Sequence, residues 1–323
     1  MTARSTFGAN ALDCAFSLLN NEGLLHIKGP DSLTFLQGQT TCDTREAGPG
    51  KAVPGVYCTP KGRTVADFLL ITLGNDHFAL RMRRDIVDAA AEVLGKYIIF
   101  SKAELNAGQD DWQIAACWGD DAAKVVSSIF GATPLGQYHS VSGDDFNVVQ
   151  MDEQGKMFEC HLHTGSKLIA QLMRDCNPGE QGDWEAQQIA AGIARIESAI
   201  VEEFIPQTLN YDLTGFISFT KGCYTGQEVV ARLHYLGKSK RRSYAGTLAA
   251  SRPPVAGAPL FASGGDKTVG NVVNASSDSE GVVWVLASAT ADGASSGLHL
   301  EDGSGPQLTL TELPYSVADT ESD

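Results

Sequence analysis

The spacing of apolar residues changes character near residue 240, and this change most constrains how the chain can fold. Before it, apolar runs with strand spacing alternate with segments whose apolar residues recur at helical spacing. After it, clusters of glycine, proline, serine and aspartate separate short strand-like runs. The pattern therefore predicts a mixed α+β region followed by a small all-β barrel.

Local patterns also predict individual elements within each region. Asp183 is in position to cap the predicted helix 186–196. Predicted strands are 24–27, 65–73, 78–82, 112–118, 146–150, 158–162, 215–219, 269–273, 282–287 and 308–313, and predicted helices are 33–38, 85–94, 122–130, 168–173 and 186–196.

Acidic residues outnumber basic ones by 39 to 24, which gives a formal net charge of -15 over 323 residues. This balance disfavours sequence-independent binding to nucleic acid or to an anionic membrane, so any contact with a polyanion must be local. Residues 1–14 lack the apolar core of a signal peptide, and nowhere do 18 apolar residues follow one another. We therefore expect a cytoplasmic protein without membrane contact.

The segment 221–228, Lys-Gly-Cys-Tyr-Thr-Gly-Gln-Glu, carries the clearest chemical signal. Thr225 and Glu228 have the spacing of a capping box, which places Cys223 just before a helix N-terminus. The helix dipole and the nearby Lys221 would favour the thiolate of Cys223. The structural alternative is that Glu228 only caps the helix, Lys221 is solvated and Cys223 is an inert small residue.

This motif resembles the signature of the YgfZ family of folate-binding proteins, which are relatives of the aminomethyltransferase of the glycine cleavage system. Further segments match the family pattern in the same order, so the resemblance spans nearly the whole chain. They are 35–39 with Thr41 and Asp43, 204–207 with Asn210, 215–219, 226–232 and 313–316.

The resemblance implies a fold of three parts around a central cavity. Residues 1–110 would form the first part of a folate-binding α+β domain, and 111–180 a ferredoxin-like α+β domain. Residues 181–240 would return to the folate-binding domain, and 241–323 would form the C-terminal barrel.

The resemblance also implies a function. The protein would bind tetrahydrofolate or a one-carbon derivative and would help to assemble or maintain iron-sulfur enzymes, including enzymes that modify tRNA. Its partners would then be iron-sulfur client enzymes or assembly proteins, and a transient iron-sulfur cluster would be consistent with that role. No catalytic turnover follows from the resemblance.

Two residues outside the motif match positions that relatives use for folate. Trp184 opens a segment in which the family's tryptophan is associated with folate, and an aromatic face suits a flat pterin. The alternative is that Trp184 is a hydrophobic staple at the start of a helix. Glu197 resembles the carboxylate with which aminomethyltransferases bind pterin nitrogens, although it could also be an exposed partner of Arg195. A second folate-associated tryptophan of some relatives would fall near Glu22, where this chain has no aromatic residue.

The remaining candidates divide into catalytic and folate-binding sets. The catalytic candidates are Cys223, as a redox or cluster-handling thiol, Lys221 and Asp67. Asp67 falls where the aminomethyltransferases carry paired aspartates, and Ala66 occupies the first position of that pair, which weakens the case for aminomethyl transfer. Besides Trp184 and Glu197, the folate-binding candidates are Tyr224, Gln227, Glu228 and Arg232.

Two other patterns bear on ligands. His161 and His163 share one strand face and Cys160 takes the other, so we expect no metal site there. Residues 221–243 contain six basic residues and one acidic residue, and this segment could hold a folate glutamate tail or a tRNA phosphate, or be a solvated linker.

Three functions remain open at this point. The leading one is a folate-binding accessory protein for iron-sulfur enzymes. The first alternative is a folate-dependent aminomethyl or one-carbon transferase, and the second is a module that binds tRNA or a partner protein through the basic segment. Turnover of a one-carbon donor would select the first alternative, and salt-sensitive tRNA binding without folate would select the second.

Overall fold

The computed structural model describes residues 12–317, so the expectation about a signal peptide lies mostly outside the described residues. The strands are β1 (Ala15–Leu18), β2 (Glu22–Lys28), β3 (Val53–Cys58), β4 (Thr64–Gly74), β5 (His77–Arg83), β6 (Glu104–Asn106), β7 (Trp112–Trp118), β8 (Ser140–Ser142), β9 (Phe146–Gln150), β10 (Met157–His163), β11 (Asn177–Pro178), β12 (Arg241–Leu248), β13 (Pro259–Ala262), β14 (Thr268–Ser277), β15 (Val283–Thr290), β16 (Leu298–Leu300) and β17 (Gln307–Leu310). The helices are α1 (Ser32–Gln39), α2 (Val87–Ile98), α3 (Ala122–Phe130), α4 (Leu168–Asp175), α5 (Gln181–Ala190), α6 (Gln227–Leu236) and α7 (Ala291–Ser296).

The first sheet is antiparallel and has the strand order β3-β4-β5-β2-β6. Its long hairpin β4–β5 is buried along nearly its whole length, as expected for a strand pair covered on both faces. Helix α2 packs against β2 and β6. Part of the largest hydrophobic core of the described residues lies between these elements.

The second sheet has the order β11-β1-β7-β10-β9-β8, and α3 and α4 contribute to its core. Strand β1 pairs with β7, and the paired residues lie 97 to 103 positions apart in sequence, from Leu18 with Ala115 to Ala15 with Trp118. The expected boundary at residue 110 therefore does not separate the two sheets, because β1 belongs to the second one.

Strands β12 to β17 form a closed six-stranded barrel in the order β12-β15-β14-β13-β16-β17. The prediction of a mixed α+β region followed by a C-terminal all-β barrel is thus confirmed. Among residues 12–317, no helix is both long and apolar enough to cross a lipid bilayer.

Two local predictions are wrong. Residues 215–219 do not form a strand, because their backbone hydrogen-bonds to Thr41 and, within the preceding turn, to Tyr211, instead of to a neighbouring strand. Helix α5 begins at Gln181 and ends at Ala190, so its apolar periodicity does not continue to residue 196. Gly192 ends it with a φ of 69°, and a Cβ there would lie 2.4 Å from the hydroxyl oxygen of Tyr315.

A buried ion cluster connects the parts of the fold, and Arg195 is at its centre. The guanidinium of Arg195 donates to both carboxylate oxygens of Glu22, at 2.9 and 2.8 Å, and its Nε donates to Asp67 at 2.7 Å. The backbone N–H of Arg195 donates to Asn274 of the barrel at 2.8 Å. All three charged side chains are at most 3% exposed, so the first sheet and the barrel meet around desolvated charges.

The cluster extends to the second sheet. Arg81 of β5 donates from Nε to Glu159 of β10 at 2.7 Å, and Arg83 lies 3.1 Å from Glu22. Burial alone would raise the pKa of Glu22, but the guanidinium groups of Arg195, Arg83 and Arg81 outweigh it and lower the pKa to about 2. The carboxylate is therefore ionised at neutral pH, and the cluster keeps its charges paired.

We predict that Arg195→Met destabilises the protein strongly, because it leaves Glu22 and Asp67 buried without their shared cation. The expected loss is about 3 to 5 kcal/mol in the free energy of unfolding, measured by urea titration at pH 7. Arg174, which is exposed and pairs with Asp175, provides the control Arg174→Met, with an expected change below about 0.5 kcal/mol. Equal effects of the two substitutions would contradict a structural role for the cluster.

Candidate functional site

Lys221, the first residue of the motif, is buried and anchors the motif to the end of α1. Its Nζ donates to the carbonyl oxygens of Gln37, Thr40 and Cys42, at 2.7, 2.5 and 2.7 Å. Carbonyl groups at the end of a helix lack partners within the helix, and an ammonium group satisfies them well. Burial lowers the pKa of Lys221 to about 8.

These contacts correct both interpretations of Lys221. The side chain is neither solvated nor directed at Cys223, because all three of its hydrogen bonds go to backbone carbonyls of residues 37–42. Cys223 itself is exposed. The role of Lys221 in the structure is to fix the loop from which Cys223 projects.

The predicted capping box of Thr225 and Glu228 is also wrong. Helix α6 begins at Gln227 with Gly226 as its N-cap, and no side chain caps it. The Thr225 hydroxyl donates to Gln39 Oε1 at 3.3 Å, and Glu228 is an exposed residue of the first turn. The negative charge of Glu228 still stabilises α6, because it lies near the positive end of the helix dipole.

Glycine is required at residue 226 by a close approach of two backbones. Gly226 has a φ of 84°, and a Cβ there would lie 2.5 Å from the carbonyl oxygen of Thr59 in the β3–β4 turn. Across the same contact, a Cβ on Gly62 would lie 2.8 Å from Val229. The motif is therefore packed tightly onto the turn of the first hairpin.

The other motif residues differ in how accessible they are. Tyr224 is buried, its hydroxyl has no partner among the described residues, and burial raises its pKa. Lys221 Nζ lies 5.1 Å from the centre of the Tyr224 ring, which is within the range of a cation–π contact. Gln227 is half-buried and Arg232 is exposed, so these two are free to meet a ligand.

Glu197 lies in a separate open cleft of about 520 Å³. Its Oε1 accepts a hydrogen bond from the side-chain amide of Asn274 at 2.8 Å, and burial raises the pKa of Glu197. The predicted alternative, an exposed pair with Arg195, is wrong because Arg195 binds Glu22 and Asp67. The cleft is lined by Asn21, Arg83, Arg84, Asp85, Glu185, Glu197 and Ala275.

Trp184 does not present an aromatic face to a cleft. Only 1% of it is exposed, and its ring packs 5.9 Å from that of Trp118 in a core between the two sheets. Its indole N–H is buried without a partner among residues 12–317. The residue that follows it in α5, Glu185, does line the Glu197 cleft.

Asp67 is fully engaged in the ion cluster. Its two carboxylate oxygens accept hydrogen bonds from Arg195 Nε, at 2.7 Å, and from the N–H of Ile196, at 2.6 Å. The residue is 1% exposed. Asp67 therefore positions the segment that carries Glu197 and has no free oxygen facing a ligand.

Apart from the buried Trp184 and Asp67, the predicted site residues fall into two regions. Tyr224, Gln227, Glu228 and Arg232 lie with Cys223 beside α1 and the β3–β4 turn, while no residue of 221–232 lines the Glu197 cleft. Sequence reasoning missed Arg83 and Glu185 of that cleft. The sequence does contain a signal for a buried charged site. Arg81 and Arg83 are two residues apart and therefore share one face of a mostly apolar strand.

The histidines of β10 have structural partners. His161 is buried and hydrogen-bonds through Nε2 to Glu159 at 2.9 Å, while His163 lies 3.6 Å from Asp111. Within residues 12–317, no group of three or more His, Cys, Asp or Glu side chains is arranged to hold a metal ion.

Comparisons with known proteins agree with this architecture. A family model described as the GCVT N-terminal domain matches residues 18–152. The "tRNA-modifying protein YgfZ" of Pectobacterium atrosepticum is 31% identical over 318 residues, which cover 97% of this chain and 95% of that protein. The protein of the same name from Sodalis glossinidius is 31% identical over 306 residues, or 93% of each chain.

A solved structure shares the fold. The glycine cleavage system aminomethyltransferase T from Bartonella henselae superposes with a TM-score of 0.70 at 16% identity, over 94% of this chain and 86% of that one. The likeness extends through both sheets and the barrel, and it shows the fold alone.

We predict that Cys223 is the first cysteine to be alkylated in the native protein. The other six cysteines are buried, and burial raises the pKa of Cys42 to about 11, which makes its thiolate about a hundredfold scarcer than that of an ordinary thiol. Brief treatment with iodoacetamide followed by peptide mass spectrometry should show one modified site, and seven after denaturation. Comparable native modification of any other cysteine would contradict the structure.

Proposed function

Because the chain belongs to the YgfZ family, whose curated members are named tRNA-modifying proteins, we propose that it binds a reduced folate and supports iron-sulfur enzymes, including those that modify tRNA. The folate would be tetrahydrofolate or a one-carbon derivative of it. The partners would be the iron-sulfur enzymes themselves or the proteins that assemble their clusters.

The observation that carries the folate part is the position of Glu197. Its carboxylate is held by Asn274 at the edge of an open cleft of about 520 Å³, a size typical of small-molecule sites. The edge of a pterin presents N–H donors, and a fixed carboxylate is the natural acceptor for them.

The cleft also suits the acidic end of a folate. Arg83 and Arg84 line it together with Glu197, and guanidinium groups bind carboxylates through paired hydrogen bonds. Arg83 is already held by Glu22 and Glu185, so Arg84 is the better candidate for a ligand carboxylate. In this proposal, Trp184 does not stack on the pterin but fixes α5, so that Glu185 stays in the cleft.

The iron-sulfur part rests on Cys223. Lys221 and Gly226 hold the loop on both sides, and the thiol is exposed between them. One thiolate can supply one ligand to a cluster whose other ligands come from a client or an assembly protein. The cluster would therefore be cargo, and Cys223 would act as a redox or cluster-handling thiol.

Aminomethyl transfer receives less support from the site. Ala66 replaces one carboxylate of the expected pair, and both oxygens of Asp67 are occupied by Arg195 and Ile196. A general acid or base for folate chemistry needs a carboxylate within reach of the ligand. An accessory role without turnover is therefore the function that these contacts favour.

We predict that Glu197→Gln weakens the binding of tetrahydrofolate, because the neutral amide is a poorer acceptor for the pterin N–H groups. The loss of a hydrogen bond to a charged group corresponds to about 1.5 to 3 kcal/mol, or roughly a tenfold to hundredfold rise in Kd by titration calorimetry. Glu153→Gln removes one charge from an exposed residue and should leave Kd unchanged. Absence of saturable binding to the unmodified protein at millimolar tetrahydrofolate would refute the folate proposal.

We predict that Cys223→Ser abolishes support of iron-sulfur enzymes while folate binding is kept. Serine retains the size and hydrogen bonding of cysteine but not its soft nucleophile. The measurement is the activity of iron-sulfur enzymes in cells that lack the native protein and express the variant. Cys58→Ser, which alters a buried cysteine beside the same loop, is the matched control if its thermal stability is retained. Full complementation by Cys223→Ser would leave the motif with a structural role only.

A further inference from the structure

A second open cleft lies where the end of α6 meets the start of the barrel. Its volume is about 630 Å³, and it is bounded by residues 199–205, by Leu233 of α6 and by residues 238–241. Ile205 and Leu233, which line it and are half-buried, give it an apolar floor. None of its lining residues belongs to the Glu197 cleft.

Four basic residues surround this floor. Arg63, Lys238, Lys240 and Arg241 all line the cleft, although they come from two separate segments of the chain. Glu203 is the one acidic residue among the lining residues that the structure describes. This local excess of positive charge stands out in a chain with a net charge of -15.

The two arginines are held in position but keep free donors. Arg63 Nη1 donates to the carbonyl oxygen of Glu203 at 2.7 Å, and Arg241 Nη1 donates to the side-chain oxygen of Asn271 at 3.2 Å. Within residues 12–317, neither guanidinium forms an ion pair with a carboxylate. Because each guanidinium has five N–H donors, most of them remain available to a ligand.

An apolar floor below fixed guanidinium groups matches one class of ligand. A flat base can lie on Ile205 and Leu233, while a phosphate accepts paired hydrogen bonds from an arginine. We propose that this cleft, defined by Arg63 and Arg241, binds a nucleoside phosphate, either as a free nucleotide or as one residue of a single-stranded RNA. The proposal does not depend on folate binding and goes beyond the function proposed above.

The position of the cleft relates it to Cys223. The loop that presents Cys223 leads into the N-terminus of α6, and the cleft lies at the other end of this helix, near Leu233 and Lys238. The ten residues of α6 rise by about 15 Å. The bound nucleotide would therefore lie about one helix length from the loop that presents Cys223. A few further nucleotides of a single strand could span that distance.

The test compares binding of two probes to the full-length protein. Adenosine monophosphate is titrated by calorimetry, and a fluorescent ten-nucleotide oligoadenylate by anisotropy, each against the unmodified protein and the double variant Arg63→Gln, Arg241→Gln. We expect the double variant to bind at least about tenfold more weakly, because two charge-assisted contacts are lost. For the oligonucleotide, the slope of log K against log salt should become shallower by about 1.4, or about 0.7 for each lost phosphate contact.

A matched double variant controls for net charge. Lys124→Gln with Arg174→Gln removes the same two charges from exposed residues that pair with Asp121 and Asp175, and it should bind both probes as the unmodified protein does. Saturable binding of the monophosphate identifies a free nucleotide as sufficient, while binding of the oligonucleotide alone identifies RNA as the source. Absence of saturable binding of both probes, or an equal loss in the two double variants at unchanged melting temperature, would overturn the proposal. Neither result would affect a folate titration, so the two proposals fail separately.

Discussion

The arrangement of this protein depends on one buried cation, the guanidinium of Arg195. The guanidinium donates to both carboxylate oxygens of Glu22 in the first sheet and, from Nε, to Asp67. The backbone N–H of Arg195 donates to the side-chain oxygen of Asn274 in the barrel. A buried carboxylate without such a partner would be strongly destabilising, so each of these groups requires the others. The barrel and the sheet are thereby held in one relative position, and the residue two places further on, Glu197, is placed at the cleft.

The same constraint separates the two candidate regions. The segment after α5 delivers Glu197 to one cleft, whereas the motif around Cys223 is fixed to α1 and to the β3–β4 turn. A ligand in the Glu197 cleft need not touch the thiol. Both regions contact the first sheet, so under the proposed function this sheet would be the structural link between folate binding and the chemistry of the thiol.

Patterns of local spacing were sufficient for much of the fold. Strand 112–118 and helix 122–130 have the predicted bounds, because the periodicity of their apolar residues decides both their type and their length. The barrel was equally evident from its turn clusters. The errors have non-local causes. Lys221 is buried by carbonyl groups about 180 positions away in sequence, and Gly226 takes a positive φ because it packs on Thr59. The burial of Trp184 and the charge cluster around Glu22 likewise depend on contacts between sheets, which spacing along the chain cannot express.

The anchoring of the motif has a mechanical consequence. Lys221 is tied to three carbonyl groups and Tyr224 is buried, so only Gly222 and Cys223 lie exposed between two fixed points. A segment of two residues between fixed ends is too short to move the side chain of Cys223 from one partner to another. Thiols that ferry a group between distant sites are carried on long flexible arms, whereas this one is stationary. Any molecule that reacts with Cys223 must bring its own reacting atom to the protein surface. The shape of that molecule then determines how its reacting atom approaches the thiol.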